Sequence, residues 1–114
     1  VPYIDKVLNA TTHTQVGDLS ISGEVDRIYK SIPQSTTSVL QAGTPVFNVS
    51  RDNLPDTVIW NPWAEKAKAT ADFEPKDGYK KMLCVEVGAV NDWQKLDGGE
   101  SWEGGQIIQR LIGF

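Results

Sequence analysis

Glu86 lies inside the apolar run Met82-Leu83-Cys84-Val85-Glu86-Val87, where a carboxylate must either meet a cation or serve a reaction. Alternation over residues 82–89 predicts a strand with Met82, Cys84, Glu86 and Gly88 on one face and Leu83, Val85, Val87 and Ala89 on the other. Removing a carboxylate from water raises its pKa and makes it the stronger base, so a cleft-facing Glu86 suits proton abstraction near neutral pH. On this run alone, catalysis and a structural pairing with a nearby Lys or Arg both stay open.

The other chemically capable residues say less by themselves. Asp5 sits between Ile4 and Lys6 at the end of an apparent strand, an ordinary place for an exposed carboxylate. Trp60 and Trp63 flank Asn61-Pro62. Indole faces stack on the C–H faces of sugars as readily as they fill cores, and the spacing favours one ring beneath a helix and the other over its end. Trp93 and Trp102 read as surface and edge packing. His13, within Thr11-Thr12-His13-Thr14, reads as a loop residue, and Cys84 as a small buried hydrophobe rather than a reactive thiol. One His and one Cys cannot close a zinc site, the acidic residues lack a calcium-loop pattern, and neither Gly98-Gly99 nor Gly104-Gly105 opens a helix as a phosphate loop does.

The elements that must position these residues are mostly strands, because period-two patterning dominates and turn residues interrupt it at short intervals. Residues 16–28 predict one or two strands broken near Gly23, and residues 37–41 and 45–51 predict a hairpin around Ala42-Gly43-Thr44. A strand over residues 57–60 stops at Asn61-Pro62, an N-cap residue followed by proline at the first helical position. Trp63-Ala64-Glu65-Lys66-Ala67-Lys68-Ala69 then predicts a helix of about two turns. Turn chemistry over residues 73–78 closes it before the Glu86 strand, and a last strand is expected over residues 106–112.

With 114 residues, a net charge of −4 and 39% hydrophobic residues, the chain is bounded to one globular domain or a piece of one. No apolar stretch approaches the ~20 residues that span a bilayer. The scattered basic residues give no nucleic-acid footprint. A single cysteine allows no internal disulfide and is compatible with a reducing compartment. Asn9-Ala10-Thr11 and Asn48-Val49-Ser50 match the N-glycosylation triplet, which we discount because no signal peptide is in view.

Taken in order, Tyr3-Ile4-Asp5-Lys6-Val7, Val58-Ile59-Trp60-Asn61-Pro62-Trp63, Ala71-Asp72-Phe73 and Tyr79-to-Glu86 resemble the C-terminal part of the glucose-6-phosphate 1-epimerases, the hexose-6-phosphate mutarotase branch of the aldose 1-epimerase superfamily. The tail Leu96-Asp97-Gly98-Gly99-Glu100-Ser101-Trp102 is similar to that family's closing segment. The resemblance implies a mainly β fold, an antiparallel β-sandwich with one short helix that forms part of a galactose mutarotase-like β-supersandwich. It implies that residues 1–114 are the C-terminal portion of a single domain whose upstream half lies outside the chain.

The implied reaction interconverts the α and β anomers of a hexose 6-phosphate, glucose 6-phosphate foremost, without metal or cofactor. Glu86 matches the general base and Asp5 the carboxylate that holds substrate hydroxyls, while Trp60 and Asn61 are expected on the cleft wall. The histidine acid and the phosphate-binding arginines belong upstream of the Asp5 motif, and His13 matches neither. The expected partner is the missing half or another chain, since isolated sandwich strands leave open edges and half-covered faces. The expected compartment is the cytoplasm. The alternative is a non-catalytic carbohydrate- or partner-binding β-sandwich module.

Overall fold

The computed structural model describes residues 1–111 and consists of two antiparallel sheets and one short helix. The larger sheet contains β1 (Pro2–Asp5), β2 (Thr11–Thr14), β3 (Val25–Tyr29), β6 (Asp56–Asn61) and β7 (Cys84–Gly88), in the spatial order β2-β1-β3-β6-β7. The smaller contains β4 (Thr36–Gln41), β5 (Thr44–Asp52) and β8 (Gly105–Arg110), in the order β4-β5-β8. This is the antiparallel β structure expected from the patterning, in the mainly β sandwich with one short helix that the family resemblance implies.

Local chemistry explains most of the connections. The β4–β5 hairpin turns on Ala42 and Gly43, at φ 51° and 79°; two consecutive positive φ values give a reversal whose twist matches that of the flanking strands. Helix α1 (Trp63–Ala69) follows β6 directly. Proline stands at its N-cap rather than at the first helical position, one residue earlier in the helix frame than the Asn-Pro pair predicts. A 3-10 turn over Gly78–Lys81 delays β7 to Cys84, so the strand is shorter than the alternation suggested.

Two expected strands are altered. In place of one or two strands over residues 16–28 the fold has the single strand Val25–Tyr29, because Gly17, Asp18, Ser20, Ser22 and Gly23 favour irregular backbone before it. The last strand begins one residue early and ends at Arg110, and Ile112 lies outside the described residues.

The core sits on one face of the larger sheet. Val25, Tyr29 and Ile59 are buried there, with Val1, Tyr3, Leu19, Ile21, Ile32, Leu83 and Val85 packed around them. A cavity of about 890 Å³ separates this face from β4, lined by Tyr29, Ile59, Leu83 and Val85 on one side and Val39 and Leu40 on the other. The smaller sheet is thinly covered: Ile107 and Ile108, on opposite faces of β8, are 71% and 60% exposed. Trp93 is 99% exposed and Trp102 37%, as expected of surface and edge residues.

Candidate functional site

Strand pairing decides which side chains share a face, because residues directly opposite in an antiparallel ladder point the same way. Asp26 of β3 pairs with Trp60 of β6, which pairs with Cys84 of β7. Two positions along β7, Glu86 pairs with Val58, which pairs with Ile28 and through it with Ile4. Asp26, Trp60, Cys84 and Glu86 therefore lie on one face, over an apolar floor of Ile4, Ile28 and Val58. The core occupies the opposite face.

Asp26 and Glu86 are two strand steps apart, about 10 Å, with a further two-residue offset of about 7 Å along the strands. Trp60 stands between them, half-buried, so its ring is available as a platform. Glu86 is exposed, and Asp26 is partly exposed and pairs with Lys6 Nζ at 3.7 Å. The expectation of a desolvated Glu86 is not met in this chain: β7 is an edge strand among the described residues, and water reaches the carboxylate. Glu86 does act on its neighbour. Burial pushes the Cys84 thiol pKa up, and the Glu86 carboxylate beside it pushes it further.

Asp5 is on the other face. It pairs with Arg27 of β3 and Thr11 of β2 and is 4% exposed. Its Oδ1 accepts the backbone N–H groups of Val7 at 3.0 Å and Leu8 at 3.2 Å, closing the turn after β1, and its Oδ2 lies 3.4 Å from Arg27 Nε. The assignment of Asp5 to substrate hydroxyls is thus at odds with its position, since its oxygens are engaged and it faces away from Glu86.

Around Asp5 the arrangement is a closed polar and aromatic cluster. Arg27 Nη1 donates to Gln15 Oε1 and to the Tyr29 hydroxyl, both at 3.2 Å, and that hydroxyl donates to Gln15 Oε1 at 2.8 Å. The guanidinium lies 4.5 Å from the Tyr3 ring centre, and His13 stacks on Tyr3 at 5.5 Å. Burial works against the Arg27 cation, but the Tyr29 hydrogen bond and the surrounding charges outweigh it and its pKa moves up. Burial likewise raises the Tyr29 phenol, against the opposing pull of Arg27. His13 lies in strand β2 rather than in a loop.

Asn61 is also withdrawn from any cleft wall. It is 2% exposed, donates from Nδ2 to the carbonyls of Tyr79 at 2.9 Å and Met82 at 3.0 Å, and accepts the Trp63 N–H at Oδ1 at 2.9 Å. Its side-chain hydrogen bonds all go to backbone groups of this chain. Of the expected site residues, the fold brings together Glu86 and Trp60 and leaves Asp5 and Asn61 out. It adds Asp26, whose signal in the sequence was the one that singled out Glu86: a carboxylate alternating with an apolar residue, here Ile28, on one strand face.

Residues 3–109 match the aldose 1-epimerase family model. The chain belongs to the aldose 1-epimerase family. Among curated relatives, a protein of Cenchrus ciliaris named "Putative glucose-6-phosphate 1-epimerase" is 39% identical over 90% of this chain and 31% of its own length. Proteins of the same name from Haemophilus influenzae and Escherichia coli K12 are 30% and 27% identical, over 71% and 82% of this chain and 28% and 32% of theirs. The chain therefore spans about a third of the length of the curated relatives it matches. No helix among the described residues is long and apolar enough to cross a membrane.

Proposed function

We propose that this chain supplies the base-bearing part of a hexose-6-phosphate 1-epimerase, acting on glucose 6-phosphate. The observation that carries the reading is the open face on which Glu86 and Asp26 flank Trp60 across adjacent strands. Such a face suits a pyranose: the indole takes the apolar ring face, and the carboxylates accept from hydroxyls at its rim.

In the reaction, Glu86 removes the proton of the anomeric hydroxyl as the C1 to ring-oxygen bond breaks, and an acid protonates the ring oxygen. The C1 hydroxyl oxygen becomes the aldehyde oxygen. Rotation about C1–C2 presents the other carbonyl face, and closure returns both protons. Asp26 orients substrate hydroxyls during the rotation. No histidine stands on this face among the described residues, so the acid and the phosphate contacts come from the remainder of the domain or from a second chain. The full site is assembled there, and closure over Glu86 supplies the desolvation that a stronger base needs. A phosphorylated hexose and an unpaired thiol both suit the cytoplasm.

Exchange NMR of the glucose 6-phosphate anomers tests this. The chain alone is expected to leave the spontaneous rate unchanged, and a preparation containing the complete domain to accelerate it. In the complete domain Glu86→Gln should slow exchange by roughly 10²- to 10⁴-fold; near wild-type exchange in that variant would remove Glu86 from its role. The absence of a histidine from the face motivates the second reading, a sugar-binding module without turnover, which saturable binding by the complete domain with no exchange would establish.

A further inference from the structure

Strand β7, which carries Glu86, has a single strand neighbour among the described residues, β6. Its register therefore depends on one five-residue ladder running from Asp56↔Gly88 to Trp60↔Cys84. A slip of one residue would turn Glu86 and Cys84 onto the core face and expose Val85 and Val87. Hydrophobic pattern alone resists this weakly, since Val85 and Val87 are themselves only half-buried.

Two buried polar side chains of β6 grip the ends of that strand. On the entry side, Asn61 Nδ2 holds the Met82 and Tyr79 carbonyls at 3.0 and 2.9 Å. On the exit side, Asp56 Oδ2 accepts the N–H groups of Val90 and Asn91, each at 2.9 Å, while Oδ1 accepts the Ser31 N–H at 3.0 Å. Both residues are 2% exposed. A slipped β7 would leave a buried carboxylate and a buried amide without these partners, and groups so stranded incur their full desolvation penalty uncompensated. Each grip also reaches a strained backbone position: Trp63, whose N–H goes to Asn61, has φ 58°, and Ser31, whose N–H goes to Asp56, has φ 50°. Left-handed backbone at a residue other than glycine persists where surrounding bonds over-determine it.

We propose that Asp56 and Asn61 are positioning residues that clamp β7 at both ends, fixing its register on β6 and hence the face to which Glu86 is delivered. The clamp is a property of this chain; its catalytic consequence rests on Glu86 being the base.

The test uses the 114-residue chain and the variants Asp56→Asn and Asn61→Ala, with amide hydrogen exchange by NMR and the pH–rate profile of Cys84 alkylation by iodoacetamide. With a grip released, the β6–β7 amides should exchange roughly ten- to hundredfold faster, while the β1–β3 amides of the same sheet keep wild-type protection. Cys84 should alkylate faster, its profile moving down toward that of an ordinary thiol as β7 leaves its place beside β6. Equal loss of protection across β1, β3, β6 and β7, or unchanged protection of β7, would overturn the clamp. Should Asn61→Ala not fold, Asp56→Asn decides by itself, because it keeps one acceptor oxygen. None of these readouts involves a sugar, so absent anomer exchange would count against the proposed function alone.

Discussion

Asp5 on β1 and Asp26 on β3 are carboxylates of adjacent strands in one sheet, yet the pleat sends them to opposite sides. Asp5 enters a network of Val7, Leu8, Arg27, Tyr29 and Gln15 in which each polar group meets a partner. Asp26 enters a half-open surface where its ion-pair partner is an exposed lysine. Closed networks of the first kind fix a fold, while open polar groups over an apolar floor, with an indole between them, are what a small polar ligand requires. The difference teaches that a carboxylate's role follows from the face it takes and from what is left unpaired there, more than from its neighbours in sequence.

The largest effect that would break this contrast is on stability. Asp5→Ala leaves two N–H groups and the Arg27 guanidinium without their acceptor, and should cost about 3 kcal/mol in chemical denaturation; a loss within about 0.5 kcal/mol would put Asp5 back among free surface carboxylates. Asp26→Asn should do the reverse. In a preparation that exchanges anomers it should lower kcat/KM by roughly tenfold or more, with melting close to wild type, since it gives up only an exposed ion pair. A lowered melting point with unchanged kinetics would place Asp26 with the structural set.

Titration sharpens the same comparison. The folded Tyr29 phenol titrates above its unfolded counterpart, so its contribution to stability is complete below about pH 10 and is lost as pH rises through the folded value. Urea midpoints should fall on the alkaline side of pH 10, and Tyr29→Phe should flatten that fall; an unaltered slope would mean that another group causes it. On the open face the effect is smaller. Removing the Glu86 charge should lower the Cys84 pKa and raise its alkylation rate near neutral pH by a few-fold, and an unchanged rate would separate the two side chains.

Much of this architecture was legible because its causes are local. The Ala42-Gly43 reversal, the helix after Asn61-Pro62 and the assignment of Cys84 and Glu86 to one face of their strand and Val85 and Val87 to the other follow from turn chemistry and period. What escaped depends on pairing between distant segments. Nothing within Tyr3-Ile4-Asp5 states that Asp5 will oppose Arg27, nor does Val25-Asp26-Arg27 state that Asp26 will oppose Trp60. Asn61 was legible only in half: its Oδ1 accepts the N–H of Trp63 at the start of the helix, as a capping side chain does, while its Nδ2 goes to carbonyls 18 and 21 positions away that nothing nearby in sequence announces.

Trp93, almost fully in water, has an optical consequence. Its emission should change little between folded and unfolded chains and should dilute the signal of Trp60, the indole that strand pairing places on the open face. Replacing Trp93 and Trp102 with phenylalanine would leave Trp60 and its helix neighbour Trp63 as the reporters, and the chain's own fluorescence would then follow what happens on the Glu86 face.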